Sequence, residues 1–84
     1  MTGRRSLTAP ELLVLRLVQE LHGAHNTEAE AFFTDADEAC IAATDVAGEP
    51  VVFVNLTNLG TWHAAGELSD EDMRAWIAPG RATG

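Results

Sequence analysis

The sequence predicts an α+β domain with the element order α-β-β-β-α, in which two helices pack on one three-stranded antiparallel sheet. Helix N-capping residues at Thr8 and at Ser69 predict the start of two helices. Between them, residues 51–57 are the part of the chain richest in β-branched and aromatic residues, which favours a strand. A second run typical of a strand, residues 39–46, lies just before it and is separated from it by turn-forming residues.

Length and composition are those of one small folded domain. With 84 residues, 46% hydrophobic and 21% charged, we expect residues 1–84 to form a single domain with flexible tails at 1–7 and 80–84. The longest apolar runs have four residues, so no membrane segment is predicted. The N-terminus lacks the apolar core of a signal peptide, which favours a cytoplasmic location. The single cysteine, Cys40, excludes an intramolecular disulfide and is expected to be a small core residue.

The first helix is predicted to begin after Thr8 and to end near residue 21 or 22, before Gly23. Thr8 as the N-cap, Pro10 in the first turn and Glu11 as the capping-box acid favour this start. Arg16, Gln19 and Glu20 are expected to face water. The apolar face predicted to cover the sheet comprises Leu13, Val14, Leu17, Val18 and Leu21.

Two interpretations stay open for residues 24–39. Residues 26–30 have the pattern of a short capped helix, whereas residues 30–34 have the bulky pattern of an edge strand. We favour the strand, because Phe32 and Phe33 are followed by the turn sequence 35–37.

Residues 51–57 are interpreted as the central strand, paired with 39–46 through a four-residue hairpin loop at 47–50. The expected register places Val46 opposite Val51, and therefore Thr44 opposite Phe53 and Ala42 opposite Asn55. Because side chains alternate along a strand, one face is then the apolar one that a helix covers. It comprises Ile41, Ala43, Val52, Val54 and Leu56.

The C-terminal third of the chain predicts a second helix after an ambiguous segment. Residues 58–66 are read as a loop or as a short strand about 61–63. Ser69 then caps a helix whose first turn has three acidic residues, where the positive end of the helix dipole lies. Met73, Trp76 and Ile77 form its apolar stripe, and 79–80 (Pro-Gly) end it.

The sequence contains no recognisable catalytic or metal-binding motif. His22, His25, His63 and Cys40 have zinc-ligand chemistry but no ligand spacing, so no metal is predicted. The acidic turn near Asp35 lacks the later elements of a calcium loop. With neither a phosphate-binding loop nor a nucleophile elbow, we predict no enzyme activity and no cofactor.

Charge is the feature that bears on function. Thirteen acidic residues face five arginines and no lysine, giving a net charge of −8. Such a field repels nucleic acid and anionic membranes. It favours a small non-enzymatic interaction module that binds a basic protein surface, as an inhibitor or a nucleic-acid mimic would. The alternative is that the charge only keeps a homo-oligomeric or accessory subunit soluble. The predicted partner-binding residues are Asp35, Asp37, Glu38, Trp62, Glu67, Asp70, Glu71 and Asp72.

The second sheet face predicts a homodimer. If both helices cover the first face, the second stays exposed, and an apolar patch of that kind usually marks a contact site. Its expected interface residues, with Phe53 at the centre, are Ala42, Thr44, Val46, Val51, Phe53 and Asn55. The competing arrangement has the second helix, with Trp76, crossing to this face and making it a second core.

Overall fold

The computed structural model describes residues 6–28 and 30–78 and shows three helices packed on a three-stranded antiparallel sheet. The strands follow one another in the sheet order β1-β2-β3. The predicted α+β class is therefore confirmed, with the order α-β-β-β-α-α and one helix more than expected. The elements are α1 (Ala9–His22), a short 3₁₀ helix (Ala24–Asn26), β1 (Phe32–Phe33), β2 (Ala39–Thr44), β3 (Pro50–Asn55), α2 (Leu56–Ala64) and α3 (Asp70–Ile77).

Helix α1 has the predicted N-terminal cap. The Thr8 side chain accepts from the Glu11 N–H, the Glu11 side chain accepts from the Thr8 N–H, and Gly23 ends the helix at a φ of 92°. The predicted apolar face is confirmed for Val14, Leu17 and Val18, which are buried. It is wrong for Leu13, which is 45% exposed, because the buried stripe also takes in Glu11.

The sheet places β2 in the middle, so the interpretation of 51–57 as the central strand is wrong and β3 is an edge strand. Strand β3 also stops at Asn55, because this residue caps α2 by accepting from the Asn58 N–H at 2.9 Å. The interpretation of residues 30–34 as an edge strand is confirmed, although the strand, β1, has only two residues.

The register of β2 and β3 differs from the predicted one by two residues. Ala42 lies opposite Phe53 and Cys40 opposite Asn55, with an irregularity between Ala43 and Thr44. Because side chains alternate with a period of two, this shift leaves the predicted faces unchanged. Val46 is not in a strand: it lies in the turn after β2 and is 97% exposed.

Helix α2 corrects the reading of 58–66 as a loop or short strand. Leu56 and Leu59 point into the core, and Gly60 lies against the start of α1. A Cβ on Gly60 would stand 2.9 Å from the backbone C and O of Pro10, so the two helices approach closely there. A nine-residue helix gains little stability by itself in water, so this packing stabilises α2.

Helix α3 begins at the predicted cap, where the Ser69 side chain accepts from the Asp72 N–H at 3.1 Å. Met73 and Ile77 are buried, whereas Trp76 remains half-exposed. The predicted helix end at 79–80 and residues 1–5 and 80–84 of the predicted tails lie outside the described residues. The core between the helices and one sheet face comprises Val14, Leu17, Val18, Ala39, Ile41, Ala43, Val54, Leu56, Leu59, Met73 and Ile77.

A buried polar network joins three elements at the edge of this core. The Glu11 side chain is part of it, and the residue is only 3% exposed. Its Oε1 accepts from the Thr8 N–H at 2.8 Å and its Oε2 from the Thr57 hydroxyl at 2.6 Å. The Thr57 Oγ1 in turn accepts from the Ala39 N–H at 2.8 Å. A carboxylate can be buried here because hydrogen bonds replace its contacts with water.

Candidate functional site

One face of the sheet is left open by the helices and displays two aromatic rings. Phe53 on β3 is 67% exposed, and Phe32 on β1 is also exposed. Their ring centroids are 6.4 Å apart with an interplanar angle of 80°, an edge-to-face pair. Strands β1 and β3 flank β2, with Phe32 paired to Cys40 and Phe53 paired to Ala42. The two rings therefore contact each other across β2, over these small buried residues. We call this surface, with Val51 beside Phe53, the open sheet face.

The six residues predicted as a dimer interface do not contribute equally to this face. Val51 and Phe53 are exposed on it, and Thr44 is half-buried. Ala42 is fully buried within the chain. The Asn55 amide already has two partners, because it also donates to Glu38 Oε1 at 3.1 Å. The face has not become a second core, since Phe53 stays exposed and α3 packs on the other side, through Met73 and Ile77.

A groove lies along the outer edge of β3, on the face of the sheet that the helices cover, and is bounded by α2 and α3. We call it the edge groove. Its volume is about 230 Å³. This is below the roughly 300–1,000 Å³ of most small-molecule sites, and it gives room for one or two side chains. None of the described residues lining it is titratable. They are Phe53, Val54, Asn55, Asn58, Leu59, Trp62, Trp76 and Ile77.

The backbone of Phe53 faces the outer edge of the sheet. Ala42, its partner on β2, has both polar groups paired on the opposite side: its N–H donates to Glu28 Oε1 at 3.2 Å and its C=O accepts from the Glu28 N–H at 3.0 Å. The Ala42–Phe53 pair is therefore a non-hydrogen-bonded pair of the antiparallel ladder. In such a pair the N–H and C=O of each residue point away from the other strand, so those of Phe53 point outward from β3.

The predicted acidic residues fall into two groups rather than one patch. Asp35 and Asp37 are exposed in the β1–β2 turn, and Glu38 beside them is tied to Asn55 at the start of α2. Glu67, Asp70, Glu71 and Asp72 follow the other end of α2 and are exposed. The nine residues of α2 separate the two groups by about 14 Å along the helix axis. Asp72 also lies beside Trp76, at one side of the edge groove.

The histidines have different surroundings. His22 Nε2–H donates to the Ile77 carbonyl at 2.6 Å and joins the ends of α1 and α3. His63 lies within hydrogen-bonding distance of Asp70, while His25 is exposed. Within the described ranges, no group of three or more histidine, cysteine or acidic side chains could hold a metal ion.

Cys40 is buried in β2. Burial raises the pKa of the Cys40 thiol, and the neighbouring Glu38 carboxylate raises this pKa further. Because the thiolate is the nucleophilic form, this thiol is poorly reactive at neutral pH.

Sequence reasoning missed Phe32 and Trp76 as surface residues. Alternation of side chains along β1 could have predicted the exposure of Phe32, because Phe33 packs on the core and Phe32 therefore lies on the open sheet face. Trp76 follows the helical spacing of the buried Met73, and its exposure depends on how α3 sits beside β3.

Comparison with family models, curated proteins and solved structures finds no match for this chain. In the part of the chain that the structure describes, every helix is too short or too polar to cross a bilayer.

Proposed function

We propose that the protein is a small non-enzymatic interaction module that binds a basic partner protein through the open sheet face and the edge groove. The observation that supports this most directly is the exposure of Phe53, a large aromatic residue in the middle of an uncovered sheet face. Aromatic residues are enriched at the centres of protein interfaces, where their burial supplies much of the binding energy.

The chemistry around this surface supports a basic partner and argues against catalysis. Glu38 lies at one end of β3, Glu49 precedes its other end, and Asp72 lies beside Trp76. Such acidic groups at the rim would steer and orient a partner rich in lysine and arginine. None of the described residues lining the edge groove is a general acid or base, and the raised pKa of the Cys40 thiol lowers its thiolate fraction. We propose a cytoplasmic location for this module.

The experiment that tests the proposal is affinity capture with matched variants. The tagged protein is incubated with cell lysate at low salt, and captured proteins are identified and then purified for calorimetry. Phe53→Glu should abolish binding of the purified partner, because it places a charge at the centre of the contact. The matched control is Gln19→Glu, which adds the same charge on the exposed side of α1, away from the sheet.

The Gln19→Glu variant should bind like the unmodified protein. Affinity of the unmodified protein should fall as salt rises, because exposed charge attraction is screened. Unchanged affinity of Phe53→Glu for the purified partner would refute the role of the open sheet face.

The separation of the acidic residues allows a second test of the same proposal. Neutralising Asp70, Glu71 and Asp72 as Asn, Gln and Asn should weaken binding if the partner contacts the α3 end of the molecule. The same change at Asp35 and Asp37 tests the β1–β2 turn. Full binding by both neutralised proteins at physiological salt would contradict electrostatic recognition of a basic partner.

A homodimer through the open sheet face is a second candidate, and the exposure of Val51 next to Phe53 favours it. A two-fold axis near Phe53 would bury the same patch on both copies. Sedimentation equilibrium would show a dimer that Phe53→Glu converts to a monomer. The net charge of −8 on each copy opposes this association, so it should strengthen as salt rises. Salt therefore separates the two candidates.

A further inference from the structure

The geometry points to a more specific mode of binding: β3 takes an extended segment of the basic partner as a fourth strand, with one or two of its apolar side chains in the edge groove. This inference rests on the proposed function and names the kind of segment that the module recognises. It combines three observations, which are the outward backbone of Phe53, the groove beside it and the charges at both ends of β3.

The outer edge of β3 is open to strand addition. The Phe53 N–H and C=O point away from β2, and among the described residues neither has a hydrogen-bond partner. Exposed edges are usually protected by charged residues, by proline or by a bulge. Here residues 51–54 are uncharged and apolar. Both Pro50 and the irregularity at Val51 lie at the start of the strand, before Phe53, so they leave the Phe53 groups free. A strand added in register would form a pair of backbone hydrogen bonds with Phe53.

The edge groove supplies the side-chain recognition that an added strand needs. Side chains of a strand alternate between the two faces of the sheet. Those on the core side would enter the groove, whose walls include Trp62 on α2 and Trp76 on α3. Those on the other side would lie next to the Phe53 ring on the open sheet face. The recognised segment is therefore extended and apolar at every second position.

Charge complementarity favours a basic segment over a second copy of this chain. In an antiparallel pair of two β3 strands, the start of each strand lies beside the end of the other. Glu49, just before β3, would then approach Glu38 of the other copy, which is bonded to Asn55 at the end of β3. Lysine or arginine residues flanking an apolar segment would instead meet these carboxylates with opposite charge.

The experiment uses a short capped peptide of alternating valine and threonine flanked by arginines at both ends. Both tryptophans of the protein line the edge groove, so their intrinsic fluorescence reports occupation of this groove. Titration should give a saturable fluorescence change, together with a shift of the Phe53 amide signal by NMR. The same peptide with glutamates in place of arginines should not bind.

Backbone methylation distinguishes strand addition from side-chain contact alone. Two versions of the peptide have N-methyl groups on alternate residues, in the two opposite phases. Only one phase removes the N–H groups that face β3, so one version should weaken binding by about tenfold or more, as expected for losing hydrogen bonds and gaining a steric clash. The other version should bind like the unmethylated peptide.

The inference is overturned if both methylated peptides bind equally, or if no response appears up to about millimolar peptide, the weak limit of specific binding. It is also overturned if sedimentation shows that the protein pairs with itself through β3. The peptide results do not affect the proposed function, because it depends on the Phe53 side chain and is tested with the purified partner. Loss of partner binding in Gln19→Glu as well as Phe53→Glu would count against the proposed function without bearing on strand addition.

Discussion

Gly60→Ala is the change that tests the packing of this fold most sharply. Gly60 is buried in the middle of α2, where this helix lies against the first turn of α1. An added Cβ would stand 2.9 Å from the C and O of Pro10 and 3.0 Å from its Cβ. Two of these three atoms are backbone, and the capping box at Thr8 holds this turn in place. The methyl group can therefore be accommodated only by moving the helices apart.

The expected magnitude follows from two opposing terms. In an exposed helix, Gly→Ala stabilises by about 0.5–1 kcal/mol, because alanine loses less backbone entropy on folding. Overpacking a buried site costs about 1–3 kcal/mol, and contact with backbone atoms favours the upper part of that range. The net loss in the free energy of unfolding is then about 1–2 kcal/mol, which lowers Tm by roughly 5–15 °C for a domain of this size.

Thermal and urea unfolding followed by circular dichroism measure this change. The matched control is Thr61→Ala, at the next position of the same helix but exposed to solvent. It exchanges a β-branched residue for the best helix former and should leave stability unchanged or slightly raised. A Gly60→Ala protein at least as stable as the unmodified one would show that α1 and α2 do not meet closely here, and would refute the packing described.

Three further predictions concern the core, the buried network and the thiol. Leu17→Ala should lower the free energy of unfolding by about 2–5 kcal/mol, because Leu17 is buried on α1. Glu20→Ala, on the exposed side, should cost less than about 1 kcal/mol, and equal urea midpoints for the two would show that the orientation of α1 is wrong. Glu11→Ala should cost about 2–3 kcal/mol, since it leaves a cap N–H and the Thr57 hydroxyl without their acceptor. Thr57→Ala should lower the free energy of unfolding less in the Glu11→Ala protein than in the unmodified protein. If the two losses simply add in the double variant, the network is not supported. Because its pKa is raised, Cys40 has less thiolate at a given pH than a free thiol. Alkylation of Cys40 at pH 8 should therefore be far slower in the folded protein than in urea, and it should speed up as pH rises. Equal alkylation rates in the folded protein and in urea would contradict the burial of Cys40.

The candidate site was predictable in part. Alternation along residues 51–57 predicted that Phe53 lies on the face opposite the core, and the structure places it there, exposed. The register error of two residues did not matter, because only an odd shift exchanges the faces. The edge groove was not predictable, since Trp62 and Trp76 lie on different helices. Both line the groove because Leu59, one helical turn before Trp62, and Ile77, next to Trp76, pack into the same core.

By itself the sequence determined the features that depend on neighbouring residues. The caps at Thr8 and Ser69, the buried stripe of α1, the two long strands and the net charge of −8 are all properties of short stretches or of composition. Side-chain hydrogen bonds to nearby N–H groups and the alternation of a strand act over a few residues, so they are visible without the fold.

Only the tertiary structure decided where β3 ends and α2 begins, which strand lies in the middle of the sheet, and why Glu11 is buried. The burial of Glu11 and the packing of α2 depend on residues far apart in the chain, through Thr57 between Glu11 and Ala39 and through Gly60 against Pro10. A short helix containing glycine is marginal in water and becomes stable only when its buried side packs on α1. Contacts of this kind have no local signal, because their free energy is gained only after the chain has brought both partners together.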